Sequence, residues 1–295
     1  MSALVAALRG PGPRFSVEFS PPHTAEAAAV QWRAVQEITA WSPVFASVTW
    51  GAGGSSQEGT TALAGRIAAE TDVPPLAHLT AVGRSAAELR TALRGLARAG
   101  VRDVLALRGD PPADPSPPGR PHPGSLEHAE DLVRLARSEG LEGVAVAAFP
   151  LGHPASPDLD DDTRHLVRKI RAGADFAVAQ LCFDVEDFLR LRDRLAAAGV
   201  DVPLLPGIMP ITTPRVLEVT GRLTGGRRPG WLLRRLEPLA ADPGGFRAAG
   251  LDVAAQAGQR LLAEGVGVLH VYSLNRSRAV GELVERLGLR PAPVR

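Results

Sequence analysis

The chain has a single cysteine, Cys182, so no disulfide can form within it, which fits a reducing cytoplasm. It has one lysine, Lys169, and one tyrosine, Tyr272; arginine carries nearly all the positive charge. Aromatic residues make up only 4% of the composition, and no stacking platform of the single-strand nucleic-acid kind is visible. Neither sign of charge is in excess: the formal net charge is +1, so there is no basic field to hold nucleic acid or an acidic membrane surface. No apolar stretch approaches a membrane span, and the apolar run in MSALVAALRGPGPR is too short for a signal peptide. There is no Cys/His cluster of zinc-binding spacing and no Gly-x-Ser-x-Gly elbow, so no metal site is expected.

What the 295 residues do contain is a rhythm of short apolar runs and longer amphipathic stretches. Strands are predicted at 15–19, 44–50, 76–81, 104–109, 143–149, 176–183, 203–209 and 268–274. These runs are nearly continuous in apolar residues, as in parallel strands covered on both faces. Helices are predicted at 25–40, 58–71, 86–99, 126–138, 160–171, 185–198, 214–223 and 246–264, with apolar residues at helical spacing. Asp158 or Asp160 can cap the fifth helix, and Thr213 before Pro214 is a cap with proline at the first helical position. Gly100, Gly140, Gly173 and Gly199 each follow a predicted helix, where a left-handed residue ends it. Eight such units imply an α/β fold, a single (β/α)₈ barrel over residues 14–290, with an extra helix around 231–239 before the last strand. Residues 1–13 and 291–295 read as tails, and a doubly wound sheet is the structural rival. The proline-rich 111–124 segment is long for a βα loop, and its place after the fourth strand suits an active-site rim.

Catalytic groups of such barrels gather at the C-terminal strand ends. Glu18 ends the first strand, on the face opposite Phe15, Val17 and Phe19. Burial there disfavours a charged carboxylate, so Glu18 is a candidate general acid; pairing with an interior arginine is the alternative. Thr49 and Trp50 end the second strand, His78 lies in the third, and Arg108, Gly109 and Asp110 end the fourth. Phe149 and His153 follow the fifth, Gln180 lies in the sixth, and Tyr272, Asn275 and Arg276 end the last. Each has a structural explanation alone, but seven strand ends supplying polar groups to one rim is harder to dismiss. Gly51-Ala52-Gly53-Gly54 lacks the third glycine of a dinucleotide fingerprint, although its N–H groups could still meet a cofactor. On the fifth helix Asp162, His165 and Lys169 share a spacing of i, i+3, i+7, with Arg168 adjacent, so this helix face is a candidate for a pyrophosphate. A solvated face is the plain alternative.

The segments FSVEFSPP (15–22), SVTWGAGGS (47–55), AHLTA (77–81), ALRGDPP (106–112), AAFPLGHP (147–154), RAGADFAVAQLCFD (171–184), PGIMPIT (206–212) and LHVYSLNRS (269–277) resemble the methylenetetrahydrofolate reductase family, in order, from Phe15 to Leu289. The resemblance implies a cytoplasmic FAD-binding barrel that reduces 5,10-methylenetetrahydrofolate to 5-methyltetrahydrofolate. NADH or NADPH is the implied donor, in a ping-pong order, with NADH suggested by the short bacterial members. By position, Glu18 looks like the general acid and Asp110 like the aspartate that meets flavin and pterin. Gln180, Arg276 and Thr49 fall on substrate positions. Thr49, Trp50, Ala52, His78, Arg108, Gly109, Asp110, His128, Ala129, Phe149, His153, Asp162, His165, Arg168 and Lys169 fall on flavin positions. Trp50, His128, Phe149, His165 and Pro214 depart from the residues common in the family. Two alternatives stay open: direct hydride transfer from nicotinamide to the folate without flavin, and a non-catalytic folate- or flavin-binding relative. The implied partners are these small molecules, with a homo-oligomer left open.

Overall fold

The computed structural model describes residues 2–22, 24–50, 57–109, 126, 128–181 and 183–289. Helix α1 (Ala3–Leu8) comes first, where the sequence suggested a tail. It is followed by β1 (Arg14–Phe19), α2 (Ala25–Thr39), β2 (Ala46–Val48), α3 (Gln57–Glu70), β3 (Pro75–Thr80), α4 (Ala86–Arg98), β4 (Asp103–Leu107), α5 (Ala129–Ser138) and β5 (Gly143–Ala148). Then come α6 (Leu159–Arg171), β6 (Phe176–Ala179), α7 (Val185–Ala197), β7 (Leu204–Leu205), β8 (Gly207–Ile208) and α8 (Pro214–Leu223). The chain continues through α9 (Gly230–Leu236), a 3₁₀ turn (Glu237–Leu239), α10 (Pro243–Ala263), β9 (Val268–Tyr272) and α11 (Ser277–Arg286).

All described strand pairings are parallel, in the order β7-β6-β5-β4-β3-β2-β1-β9-β8. β7 and β8 are two pieces of one stretch, so the sheet curls into a (β/α)₈-type barrel. The predicted seventh strand is split because Pro206 has no N–H for a ladder. Its carbonyl still accepts from His270 N at 2.9 Å. Across this thin seam the Tyr272 hydroxyl donates to the Ala179 carbonyl at 3.1 Å. Gly207 makes that reach possible, because a Cβ there would lie 2.4 Å from the tyrosine ring.

Local chemistry explains the helix ends. Thr24, Ser85, Asp158, Thr213 and Asp242 each accept a backbone N–H of the following first turn, and Ser85 with Glu88 forms a full capping box. Gly100, Gly140, Gly173 and Gly199 all have positive φ just past a helix, as expected. α11 was missing from the predicted helices. Its N-cap is Arg276, which makes no side-chain capping bond, so no sequence signal marks its start.

The packing has three parts. Phe15, Val17, Phe19, Val48 and Leu79 belong to the shell between barrel and helices. Leu4, Val5 and Leu8 of α1 instead pack with Phe45, Leu76, Leu105 and Phe176, closing the N-terminal end of the barrel. Full burial of such side chains stabilises by roughly 1.5–3 kcal/mol each, which is why an apolar six-residue segment folds here. Arg14 donates to the carbonyls of Ala7, Leu8 and Gly10, satisfying the end of α1. Asp103 sits beside this plug, next to Ser2 and Gly143; a Cβ on Gly143 would fall 1.9 Å from its Oδ1. A third cluster, including Leu181, Met209, Ile211, Leu232 and Phe246, supports the rim on the β6–β8 side.

Candidate active site at the C-terminal mouth of the barrel

Parity along β1 turns Ser16 and Glu18 into the barrel, away from Phe15, Val17 and Phe19. Glu18 Oε2 lies 3.6 Å from His78 Nε2 on β3 and 3.8 Å from His270 Nε2 on β9. His270 is buried, and its Nδ1 lies 2.8 Å from the Ser16 hydroxyl. Phe45 stacks on its ring with centroids 5.6 Å apart, and Tyr272 meets it edge-on at 5.2 Å. The imidazole is therefore fixed under the carboxylate. Burial pulls His78 down to about 4, although Glu18 pulls the other way and His270 adds to the lowering, so His78 is neutral at pH 7. Its Nε2 has no hydrogen-bond partner. Sequence reasoning missed His270 and Ser16. The signal was the same parity on β9 that points Tyr272 inward.

The first and last strands are sewn together at this mouth. Ser273 Oγ donates to the Glu18 carbonyl, and Asn275 both accepts from Ser20 N at 3.0 Å and donates to Ser20 O at 2.9 Å. Leu274 and Asn275 adopt positive φ to make this turn, and Arg276 is left exposed beyond it. Gln180 follows β6; its backbone N–H bonds Ala148 O, and its side-chain oxygen accepts from Leu181 N at 2.8 Å.

On the other side of the mouth, Thr49 is buried with its hydroxyl unpartnered. Trp50 is also buried, with the Arg84 guanidinium 4.3 Å above its ring. Arg108 and Gly109 leave β4, where Val82 N donates to Arg108 O at 2.8 Å and Gly109 has φ +87. Asp110, Ala52, Cys182 and the 111–124 segment lie outside the described residues.

The α6 residues split by depth. Asp162 is buried and accepts the His153 N–H at 3.1 Å. Lys169 reaches under β5 to the Ala147 carbonyl at 2.5 Å. Burial holds Lys169 down to about 8, against the upward pull of Asp162 and Glu130. His165 and Arg168 face α5 instead. Arg168 pairs with Glu130 at 3.2 Å, and the His165 ring lies 5.9 Å from that of His128. Burial, then Arg168, lowers the His165 pKa. His128 caps α5 with no side-chain bond, and Ala129 begins that helix. Phe149 and His153 meet edge-to-face at 4.9 Å. So the single lysine and Asp162 meet the β5 side of the mouth, while His165 and Arg168 form a more exposed shelf.

This arrangement suits an anionic, hydrogen-bonding ligand. It combines a half-desolvated ammonium with spare donors and two buried polar atoms, Thr49 Oγ1 and His78 Nε2, that have no partner. Among the described residues no His/Cys/Asp/Glu group could hold a metal ion. A parallel barrel with a carboxylate–histidine cluster and a cationic shelf at its C-terminal mouth defines a small-molecule enzyme of the (β/α)₈ class.

The comparisons name the family. The methylenetetrahydrofolate reductase model matches residues 6–288. The 5,10-methylenetetrahydrofolate reductase of Escherichia coli is 34% identical over 276 residues, covering 94% of this chain and 91% of that protein. Methylenetetrahydrofolate reductase 1 of Schizosaccharomyces pombe is also 34% identical, over 93% of this chain but 46% of that protein. Methylenetetrahydrofolate reductase (NADH) 1 of Arabidopsis thaliana is 32% identical, over 93% and 48%. The chain thus spans most of its bacterial relatives and about half of these longer ones. It belongs to the methylenetetrahydrofolate reductase family. A Clostridium thermocellum protein described as binding two copies of 5-methyl-5,6,7,8-tetrahydrofolic acid shares the fold, with TM-score 0.66, 12% identity, and coverage of 97% of this chain and 98% of that one.

Proposed function

We propose that this protein reduces 5,10-methylenetetrahydrofolate to 5-methyltetrahydrofolate with NADH through bound FAD. The observation that carries the reading is Glu18 inside the mouth, 3.6 and 3.8 Å from two histidines, in a barrel whose β5 side also carries the buried Lys169. The donor set fits FAD: Lys169, Arg168 and His165 suit a pyrophosphate, and Thr49, Trp50, His78, Phe149 and His153 suit a flat ring and its hydrogen-bonding edge. Arg108, Gly109, His128, Ala129 and Asp162 complete the described set, and Asp110 and Ala52 would join it. FAD, when bound, supplies a hydride carrier that can accept from nicotinamide and give to a folate.

The chain's own residues orient the substrates and handle protons. Glu18 supplies a proton to the folate as its methylene bridge opens. His78, kept neutral, can accept or donate a hydrogen bond beside Glu18 without adding a competing positive charge. His270 and Ser16 form the inner end of this chain of polar groups. Gln180 and Arg276 hold the folate, and Gln180 also meets the nicotinamide. A single mouth that would hold nicotinamide and folate in turn supports a ping-pong order. NADH as donor is supported by the NADH-named plant relative. With no helix of the described residues long and apolar enough to cross a membrane, a cytoplasmic location agrees with the cysteine content.

The test is the visible spectrum of the purified protein before and after FAD is added and the excess removed. A retained flavin spectrum, bleached by NADH and restored by methylenetetrahydrofolate, is the expected result. A protein that retains no flavin yet oxidises NADH with the folate would replace this reading with direct hydride transfer.

A further inference from the structure

The loop after β5 carries Phe149 and His153, and one distant side chain holds it. Arg227 lies in the loop between α8 and α9, 76 residues beyond Leu151. Its guanidinium donates to the carbonyls of Leu151 and Gly152, the latter at 2.8 Å. The third direction of the fork is used at home: Nε donates to Thr224 O at 3.3 Å. One planar cation therefore joins main-chain carbonyls from two segments, which a lysine's point charge cannot do with the same geometry.

The α8 end is shaped for this. Gly225 and Gly226 have φ +60 and +81, and Gly226 N donates back to Gly221 O at 2.7 Å. That closes the helix and leaves Arg227 beside the 151–152 turn. On the receiving side, Gly152 has φ +78 and its N–H bonds Phe149 O at 3.0 Å. The next residue gives its N–H to Asp162 at 3.1 Å, and Ser156 N bonds the His153 carbonyl at 2.9 Å. The turn is thus gripped from α6 at His153 and from Arg227 at the two residues before it.

We propose that Arg227 is a positioning residue for the cofactor: it fixes the 151–153 turn so that the Phe149–His153 pair meets the flavin in a set geometry. This rests on the flavin reading above. It also couples the β5 side of the mouth, assigned to FAD, to the segment after β7 and β8.

The experiment compares wild type with Arg227→Ala, Arg227→Lys, His153→Ala and the Arg227→Ala/His153→Ala double variant. FAD affinity is measured by flavin fluorescence titration of apoprotein, loop mobility by amide hydrogen exchange over residues 152–156, and global stability by thermal melting. Arg227→Ala is expected to weaken FAD about tenfold, because the turn loses the two charged hydrogen bonds that preorganise it. It is also expected to speed exchange in the turn while the melting temperature changes little. Arg227→Lys should be intermediate, and the double variant should lose little more than His153→Ala, because both act through one turn. Unchanged FAD affinity, unchanged exchange in the turn, or fully additive losses would each overturn the assignment. Wild-type protein that binds no FAD overturns the flavin reading instead, and the exchange comparison then still decides whether Arg227 holds the turn.

Discussion

If Lys169 meets the pyrophosphate of FAD as proposed, its burial should make FAD affinity depend on pH. Its ammonium is half-buried under β5, bonded to the Ala147 carbonyl, and burial lowers its pKa from the usual 10.5 to about 8. A bound pyrophosphate would hold the charged form and raise that value again. Below pH 8 the free and bound proteins both carry the proton, so affinity is flat. Above pH 8 the free protein loses the proton and must regain it on binding, so affinity falls about tenfold per pH unit until the bound-state pKa is reached. Between pH 7 and pH 9 the dissociation constant should therefore rise about tenfold. The assay is a fluorescence titration of apoprotein with FAD at both values, repeated with ADP as a competitor that shares the pyrophosphate. In Lys169→Arg the cation does not titrate in this range, so the slope should vanish; in Lys169→Ala affinity should be weak at both values. An unchanged dissociation constant in wild type, or the same slope in Lys169→Arg, would return this lysine to a purely structural role.

Two further perturbations test other parts of the molecule. Glu18→Gln should keep the fold, FAD and flavin reduction by NADH, and lose folate reduction by about a hundredfold or more; stopped-flow measurement of the two half-reactions separates them, and normal folate turnover removes Glu18 from the chemistry. Asp103 is buried beside α1, and burial raises its carboxyl from 3.8 to about 6, with the Ser2 hydrogen bond opposing. The folded state thus prefers the protonated acid, so this group's contribution is best below pH 4 and is lost as pH rises through 6, by on the order of 3 kcal/mol. Asp103→Asn should accordingly gain stability over wild type at pH 7.5 in urea unfolding and lose that gain near pH 4; a pH-independent difference would refute the assignment.

Much of the barrel was legible because parallel strands buried on both faces and capped amphipathic helices leave strong local marks. The parity of β1 placed Glu18 inward, and Thr213 and Asp158 announced their helices. What escaped was decided by tertiary contact. α1 has too few residues to signal a helix alone, and only the open end of the barrel gives its leucines somewhere to go. α11 begins at an arginine with no capping bond. Pro206 splits a strand whose apolar run reads as continuous. The α6 spacing predicted a common face, but depth separates Asp162 and Lys169 from His165 and Arg168 because β5 lies beneath only the first pair. His270 was hidden inside an apolar run, since its role depends on a carboxylate 252 positions earlier being its neighbour through the β1–β9 pairing.

The rim shares one constructional habit, and it bears on the departures from the family's common residues. Its side chains are held mainly by neighbouring main chain: Asp162 by His153 N, Lys169 by Ala147 O, Asn275 by both polar groups of Ser20, Tyr272 by Ala179 O. Such bonds tie α6 back to the end of β5 and join the ends of β1 and β9 and of β6 and β9, so the positions of the binding groups follow from the barrel itself. Trp50 and Phe149 lack the hydroxyl that a tyrosine would bring, yet each ring is fixed by a neighbour, Arg84 over one and His153 at the edge of the other. On the proposed flavin reading, what they forgo is one hydrogen bond to the cofactor each, worth about 0.5–1.5 kcal/mol. What they leave in place is the preorganisation on which orientation of two substrates at one mouth depends. On that reading, looser cofactor retention with intact chemistry is the expected combination, checked by comparing FAD release on desalting with turnover at saturating FAD.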